Sequence, residues 1–306
     1  MITSTKKRKN SVWKPSNLIF YIGMLAIPVV QFFIMYIVVN FNSFLLAFQK
    51  FEDGKFVFAG GFDNFKQAFF NLKNDPMLVH AAKNALVYFG ISLIFSTLFC
   101  LMFSFYIYKK KFGSEFFKFV LFLPSIVSGI IMVILFKYMA DRAVPAFIEK
   151  LFHKQFQGLI ADPKYTWSTI IFYNLFMSFG GNMLIYSGTM KDIPESVVEA
   201  AQLDGITPMK EFFYITLPTV YPILVTFLVA GVAGIFTNQL NLFSFFGTVV
   251  DNRYQTFGYY MYTKMLSKDP FSYPYLATLS LIFSFISIPV TLIARKMLIK
   301  FGPSED

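Results

Sequence analysis

Residues 193–218 read IPESVVEAAQLDGITPMKEFFYITLP and form a polar segment between two long apolar runs. Pro194 suits the first position of a helix, because its missing N–H needs no partner there. Gly205 suits the left-handed residue that ends many helices. Thr207-Pro208 can begin a second short helix with Thr207 as its N-cap, and Leu217-Pro218 ends that helix before the next apolar run. We therefore predict a helix-turn-helix of about 25 residues at a membrane face.

The composition indicates a membrane protein. The chain has 306 residues, of which 56% are hydrophobic, 20% aromatic and only 14% charged; soluble domains carry about 25% charged residues. The net charge of +10 comes largely from basic residues next to apolar runs, so it predicts membrane topology and not nucleic-acid binding. The single Cys100 excludes an intrachain disulfide, and no cluster of zinc-type ligands or catalytic residues is visible.

Six apolar runs are long enough to span a bilayer, which takes about 20 mostly apolar residues in a helix. The sequence therefore predicts an all-α membrane protein with six transmembrane helices. The first run follows a basic segment as a signal peptide would, but it is longer than an h-region and lacks a clear cleavage site, so we expect an uncleaved helix. The predicted spans are Leu18–Phe41, Ala85–Tyr108, Phe119–Met139, Thr169–Thr189, Val220–Phe243 and Tyr275–Ala294.

The flanking charges predict the orientation of these spans. Three basic clusters, at 6–14, 109–111 and 295–300, fall on one side of the membrane if the number of spans is even. The positive-inside rule makes that side cytoplasmic. Both termini and the 193–218 loop are then cytoplasmic, and the 42–84 loop is predicted to fold outside the membrane.

The spacing in the 193–218 loop resembles the signature loop of permease subunits in binding-protein-dependent ABC importers, which reads EAA, three residues, G, nine residues and I-x-L-P. The chain is also similar to the carbohydrate permeases of the maltose-importer class over roughly 84–298. That similarity lies in Lys83-Asn84, in residues 184–194, and in Thr256 with Tyr259, Tyr260 and Tyr262. The resemblance implies an ABC type I importer permease fold with a cytoplasmic EAA coupling loop. The residues it assigns to ATPase coupling are Glu199, Ala200, Ala201, Asp204, Gly205, Ile215, Leu217 and Pro218.

The resemblance also implies a set of partners and a location. It implies a second homologous permease, which makes a heterodimer, two ATPase subunits that bind ATP and Mg, and an extracellular solute-binding protein that delivers a sugar. The chain itself is expected to carry no cofactor and no metal, and to lie in a bacterial plasma membrane in contact with lipid. The expected organisation is a cytoplasmic segment at 1–17, the first span and external loop at 18–83, the permease core at 84–298 and a cytoplasmic tail at 299–306.

Polar residues inside two spans predict a substrate path. Such residues are costly in lipid and usually face a bundle interior or a water-filled cavity. In the fourth span the polar side chains recur every four residues, so they share one helical face; in the fifth they cluster late. Amides and tyrosines together suit the hydroxyls and flat apolar faces of sugars. The predicted path residues are Asn174, Ser178, Asn182, Tyr186, Asn238, Gln239 and Asn241.

Asn174 and Asn238 are the leading substrate candidates, because their offsets from the EAA glutamate match sugar-contacting positions in the maltose-type importer. The alternative for any one of these polar residues is a hydrogen bond between helices.

The chain lacks a G-x-x-x-x-G-K-[ST] sequence, so it carries no P-loop, and its interior spans carry almost no acid. A proton-driven transporter usually holds a carboxylate within the membrane. ATP hydrolysed on another chain is therefore the expected energy source. The alternatives are a permease of the same family for another solute such as glycerol phosphate, a secondary transporter or channel, and a membrane enzyme, for which no catalytic constellation is present.

Overall fold

A computed structural model describes residues 15–59 and 61–303, and this part of the chain is mostly helical. Residues 1–14 of the predicted N-terminal segment at 1–17, with all its basic residues, and the last three residues of the predicted tail lie outside the described residues. The elements follow the chain as α1 (Leu18–Leu46, the described helix beginning at Pro15), β1 (Gln49–Glu52), β2 (Lys55–Phe58), α2 (Asp63–Asn74), α3 (Pro76–Tyr108), α4 (Ser114–Ile126), α5 (Gly129–Phe152), α6 (Pro163–Met190), α7 (Glu195–Leu203), α8 (Pro208–Ala233), α9 (Leu242–Phe246), α10 (Phe257–Leu266) and α11 (Tyr273–Phe301).

Five described helices are long and apolar enough to cross a membrane, namely α1, α3, α6, α8 and α11. The bent pair of α4 and α5 makes a sixth candidate if it counts as one span. The predicted number of spans therefore agrees with the upper count for the described residues. Most of these helices extend beyond the predicted runs. Helix α11 ends at Phe301, so part of the predicted tail at 299–306 is helical.

The third predicted span is wrong as a straight helix. Helix α4 ends at Ile126, α5 begins at Gly129, and the two axes are bent by 109°. Val127 between them is extended, with φ −80° and ψ 145°. Pro124 in the last turn of α4 lacks the N–H that would continue the hydrogen-bond ladder, which favours a break at this point.

The fifth predicted span is wrong at both ends. Helix α8 starts at Pro208 and ends at Ala233, ten residues before the predicted end at Phe243. Leu240 and Asn241 have positive φ values of 50° and 55°, which no continuing right-handed helix allows. The predicted polar residues 238–241 therefore lie in a non-helical segment.

The predicted end of the second loop helix at Leu217-Pro218 is also wrong. A π segment at Phe212–Thr216 joins the first turn of α8 to the rest of the helix. We infer that this wider turn accommodates Pro218, which cannot donate a backbone hydrogen bond. The loop is consequently continuous with the spanning helix that follows it.

The chain divides into two compact units, and the smaller one consists of residues up to Lys66 together with Pro270–Leu281. It contains a β-hairpin, which corrects the prediction of an all-α protein. Strands β1 and β2 pair antiparallel around Asp53-Gly54, whose positive φ values of 50° and 77° suit a tight hairpin turn. The ring of Phe51 packs on Phe56 and Phe271 at centroid distances of 5.1 and 5.0 Å.

The larger unit consists of Gln67–Asp269 and Ile282–Asp306, of which the structure describes residues up to 303. Its buried core joins three spanning helices, α3, α6 and α8, near the end where α6 enters the 193–218 loop. We call this the loop end of the helices. The core residues are Cys100, Leu101, Ile107, Met183, Tyr186, Met190, Phe212, Val220 and Leu224.

Candidate functional site

The 193–218 loop forms a short helix with a well-defined stop. Helix α7 begins at Glu195, so Pro194 is its N-cap and the prediction of Pro194 as the first helical residue is wrong by one position. Gly205 has a left-handed φ of 73°, as the sequence predicts. The N–H of Gly205 donates to the Gln202 carbonyl at 3.0 Å, and the N–H of Ile206 donates to the Ala201 carbonyl at 3.1 Å. This pair of bonds is a Schellman motif. It fixes the angle at which the chain turns from α7 into α8.

The loop presents an exposed surface with an apolar component. Glu199 and Ala200 are exposed, whereas Ala201 is buried and faces the chain's own core. Leu203 is 90% exposed and Tyr214 is 75% exposed. Glu199 forms no ion pair within residues 15–59 and 61–303, so its carboxylate faces outward unpaired there.

A buried ion pair, which the sequence analysis missed, holds the loop end together. The Lys109 ammonium at the end of α3 contacts both carboxylate oxygens of Glu211, at 2.7 and 2.9 Å. Glu211 lies in the first turn of α8, directly after the loop. The sequence shows Lys109 only as the first of three lysines after an apolar run, and nothing in its spacing identifies an acidic partner 102 residues later.

Three of the four polar residues predicted on the fourth span line one pocket. Ser178, Asn182 and Tyr186 on α6 face a cavity of about 270 Å³, which we call the serine pocket. Its opposite walls come from α3 and α8. The pocket lies within the larger unit, directly above the core at the loop end.

The wall contributed by α3 contains polar residues that sequence reasoning did not select. Ser92 and Ser96 line the serine pocket, and the Ser96 hydroxyl lies 2.7 Å from that of Ser178. Both serines belong to a π segment, Ser92–Ser96, within α3. π segments inside α-helices are rare and often occur at functional sites. No short sequence signal marks them, because serine is common in membrane helices as a hydrogen-bonding residue.

Asn174, the fourth polar residue of this span, has a different environment. It is buried, and its amide nitrogen donates to the carbonyls of Ile170 and Leu240 at 2.9 and 3.0 Å. Its oxygen accepts a bond from the Asn241 amide at 2.8 Å. The side chain therefore holds the non-helical segment after α8 against α6. This is the helix–helix alternative that the sequence left open for such residues.

The amide cluster at 238–241 lines two further pockets. Asn238 lies between a cavity of about 200 Å³, the bridging pocket, and one of about 400 Å³, the amide pocket. Gln239 and Asn241 also line the amide pocket, together with Tyr262. The Thr256 hydroxyl donates to the Asn238 carbonyl at 2.9 Å, which ties this segment to the start of α10.

The three pockets are adjacent, and we call them together the path. The serine and bridging pockets share Phe89, Ser92 and Gly231, and the bridging and amide pockets share Asn238 and Leu240. None of the residues that line them is charged. The lining can therefore offer hydroxyl and amide hydrogen bonds, but it holds no charged side chain that would neutralise an anion.

The end of α3 opposite the loop end is fixed to the segment before α10. The Asn84 amide donates to the carbonyls of Arg253 and Gln255 at 2.8 and 2.9 Å. Beside it, the Arg253 guanidinium donates to the Asp251 carboxylate, and this hydrogen bond lowers the pKa of Asp251 to about 2. Asn84 thus contacts the segment directly before Thr256, another residue that carries the resemblance.

Comparison with known proteins gives one family. The profile described as "Binding-protein-dependent transport system inner membrane component" matches residues 101–298, which is more than half of the chain. The match begins within α3 and ends within α11, so it includes the 193–218 loop and most of the path.

Among curated proteins, the chain is similar to the "Probable ABC transporter permease protein MG188 homolog" of Mycoplasma pneumoniae, with 27% identity over 174 residues. That alignment covers 55% of this chain and 52% of the relative, so the match spans about half the relative's length. The chain is also 26% identical over 212 residues to the "Arabinooligosaccharides transport system permease protein AraP" of Bacillus subtilis, covering 67% of this chain and 65% of that protein.

A solved structure shares the fold. It is described as a bacterial ABC transporter involved in the import of the acidic polysaccharide alginate. The TM-score is 0.77 at 19% sequence identity, and the superposition covers 95% of this chain and 99% of the other. At this level of identity the likeness establishes the fold of the chain.

Proposed function

This chain belongs to the family of binding-protein-dependent transport system inner membrane components, and we propose that it is a permease subunit of an ATP-driven importer for an oligosaccharide or related sugar. The observation that carries the proposal is the series of three adjacent pockets without charged lining residues, which runs from the amide pocket to the serine pocket beside the core at the loop end. Polar residues within membrane helices usually face a bundle interior or a water-filled cavity, and they often mark a solute pathway.

The lining of the path favours a neutral, hydroxyl-rich solute. Ser92, Ser96, Ser178 and Asn182 carry hydroxyl and amide groups that can both donate and accept, and the edge of the buried Tyr186 adds an aromatic contribution to the lining. A phosphate-bearing solute such as glycerol phosphate would favour a lysine or arginine along the path, and none lines these pockets. The names of the relatives that import arabinooligosaccharides and alginate agree with a sugar as the cargo class.

The size of the pockets favours stepwise passage. Small-molecule sites usually enclose about 300–1,000 Å³. The serine and bridging pockets, at about 270 and 200 Å³, fall below that range. We infer that the path holds the substrate one unit at a time, and that it widens when the helices change their packing.

The 193–218 loop is proposed to dock an ATPase subunit that binds ATP and Mg. Glu199 and Ala200 would contact the partner, together with the exposed Leu203, while the Schellman motif at Gly205 fixes the docking angle. Because the loop is continuous with α8, a displacement of the docked subunit would move a wall of the path directly. A ligand drives such a change only by binding one state better than the other, and ATP would do so on the partner.

The assembly that we propose contains this chain, a second homologous permease, two ATPase subunits and an extracellular solute-binding protein. The chain would cross a bacterial plasma membrane several times, with the 193–218 loop and both termini in the cytoplasm. In the described residues this orientation places Lys109–Lys111 and Arg295 on the cytoplasmic side, as the positive-inside rule expects.

Substitution of Gly205 tests the docking function. Val is β-branched and disfavours a φ of 73°, so Gly205→Val should break the Schellman turn. Asn tolerates the left-handed region, so Gly205→Asn is the matched control. We expect Gly205→Val and Glu199→Lys to insert into the membrane but to lose ATP-dependent uptake or ATPase binding, while Gly205→Asn retains both. Normal uptake by both Gly205→Val and Glu199→Lys would refute docking at this loop.

Two asparagine substitutions test the path. Asn182→Ala should reduce uptake without lowering the thermal unfolding midpoint, because Asn182 faces the serine pocket. Asn174→Ala should lower the midpoint, because it leaves the carbonyl of the buried Leu240 without its partner, at about 1–3 kcal/mol, and removes the bond to the Asn241 amide. Uptake by vesicles that lack any ATPase would instead favour a secondary transporter.

A further inference from the structure

The buried Lys109–Glu211 ion pair joins two helices that both line the proposed path. We propose that this pair is a positioning device, which transmits movement of the 193–218 loop to α3 as well as to α8. The inference rests on the proposed function, since it presumes that a docked ATPase moves the loop. Neither residue belongs to the EAA pattern.

The burial of this pair distinguishes it from the other ion pairs of the described chain. The Lys109 and Glu211 side chains are 17% and 4% exposed. Every other ion pair within residues 15–59 and 61–303 has at least one side chain that is more than half exposed. An exposed pair is screened by water and constrains little, whereas separating a buried pair leaves an uncompensated charge. The two helix ends are therefore held together against separation.

The helix dipoles favour this arrangement of the charges. Lys109 is the C-cap of α3, where the negative end of the helix dipole stabilises a cation. Glu211 lies in the first turn of α8, where the positive end stabilises an anion. Each charge is thus stabilised by the dipole of its own helix as well as by its partner. Exchanging the two charges would place each one at the unfavourable end of a helix dipole.

Aromatic rings complete the junction. The rings of Phe105 and Phe212 meet edge to face at a centroid distance of 5.2 Å. The Lys109 ammonium also lies 5.7 Å from the centroid of the Tyr108 ring. These rings cover the pair on the apolar side, which lowers the local dielectric and strengthens the attraction between the charges.

The junction lies between the loop and the path. Glu211 follows Gly205 by six residues, so it moves with the docking loop. Lys109 ends the helix whose π segment, Ser92–Ser96, lines the serine pocket. With the pair intact, a displacement of the loop shifts α3 and α8 together; without it, the loop moves α8 alone. The wall that carries Ser92 and Ser96 then stays in place.

The native Cys100 reports on this movement. It is the only cysteine of the chain, it is 2% exposed, and it lines the serine pocket on α3. The rate at which N-ethylmaleimide modifies Cys100 can be followed by mass spectrometry of its peptide. The experiment uses the assembled importer in membrane vesicles, with and without ATP and vanadate.

We expect ATP with vanadate to change the modification rate of Cys100 severalfold in the native importer. Lys109→Met with Glu211→Met removes both charges, so no buried charge is left unpaired; it should keep ATPase binding but lose most of that change. Lys109→Arg, which can still pair with Glu211, and Lys110→Met, at the exposed neighbouring lysine, should keep the native change. If the double variant Lys109→Met with Glu211→Met, the Met pair, fails to insert, Glu211→Gln is tested in the same assay and should also lose most of the change in the modification rate of Cys100.

A native-sized response in the Met pair, or in Glu211→Gln, would overturn the proposal and leave the pair a purely stabilising role. The outcome for the wider function is separate. If the native chain binds no ATPase, the proposed function fails and this inference fails with it. If the chain binds the ATPase but ATP with vanadate changes nothing at Cys100, this inference alone fails. Loss of response in the variants alone, with a native response present, supports both.

Discussion

Gly180 and Gly181 are adjacent in α6, yet they should respond oppositely to a single added methyl group. Gly180 packs against the backbone of α4: a Cβ built there would lie 2.7 Å from the Leu121 carbonyl oxygen and 3.3 Å from the Ser125 hydroxyl. A Cβ at Gly181 would meet no atom within 4 Å. Small residues allow membrane helices to approach this closely.

The magnitude follows from two opposing terms. Replacing a helical Gly by Ala stabilises a helix by roughly 0.5–1 kcal/mol, because Ala loses less backbone entropy. Overpacking a close contact costs about 1–3 kcal/mol, and the contact at Gly180 is with backbone, which cannot rotate away. Gly180→Ala should therefore lose about 1–2 kcal/mol net, whereas Gly181→Ala should gain up to about 1 kcal/mol.

Thermal unfolding of the purified chain in detergent measures the difference. For domains of 150–250 residues, 1 kcal/mol moves the midpoint by about 2–4 °C, so Gly180→Ala should unfold several degrees below the native chain. Gly181→Ala should unfold at or above it and serves as the matched control. If Gly180→Ala unfolds no lower than Gly181→Ala, the close approach of α4 and α6 is refuted.

Three further substitutions test the contacts of residues 251–258, which lie before α10 and at its start. Gly258→Ala should destabilise the chain by about 1–3 kcal/mol, because its Cβ would overlap the carbonyl group of Thr237; an unchanged unfolding midpoint would contradict that packing. Asn84→Leu should cost about 1–3 kcal/mol, since it removes the amide that binds the Arg253 carbonyl; a midpoint equal to that of the native chain would show that this contact is not maintained. Asp251 has a lowered pKa, so its ion pair with Arg253 contributes stability above the ordinary carboxyl pKa of 3.8, and that contribution is lost as the pH falls toward about 2. The difference in midpoint between native chain and Asp251→Asn should accordingly be constant from about pH 5 to 8 and shrink below about pH 4; a change within the upper range would assign the titration to another group.

Local sequence chemistry predicted the loop well. A left-handed Gly205 follows from the residue itself, since glycine adopts a positive φ without steric cost. The same holds for the long apolar helices, because about 20 apolar residues satisfy their backbone groups in lipid only as a helix. The breaks within them were not predicted. Pro124 and Ser128-Gly129 do signal a break, but the surrounding apolar run outweighed them in the prediction. The prediction also continued the fifth span past Ala233, although the segment that follows contains Asn238, Gln239 and Asn241.

The candidate site was predicted in part. Periodicity placed Ser178, Asn182 and Tyr186 on one face, and the structure brings them to one pocket. Periodicity says nothing about what faces that surface, so Ser92 and Ser96 were missed. Periodicity also predicted that Asn174 lines the substrate path like its neighbours on α6. In the structure the Asn174 amide instead bonds to residues 66 and 67 positions further along the chain.

The sequence by itself determined the family resemblance, the upper count of spans, the turn at Gly205 and the polar face of α6, because each depends on residues close together in the chain. Only the tertiary structure decided that α4 and α5 bend, that Asn174 supports Asn241, and that Lys109 pairs with Glu211. Those outcomes depend on contacts between distant segments, whose partners are selected by shape, burial and charge once the helices pack. No local pattern encodes the partner, so the buried pair beneath the loop became visible only in the folded chain.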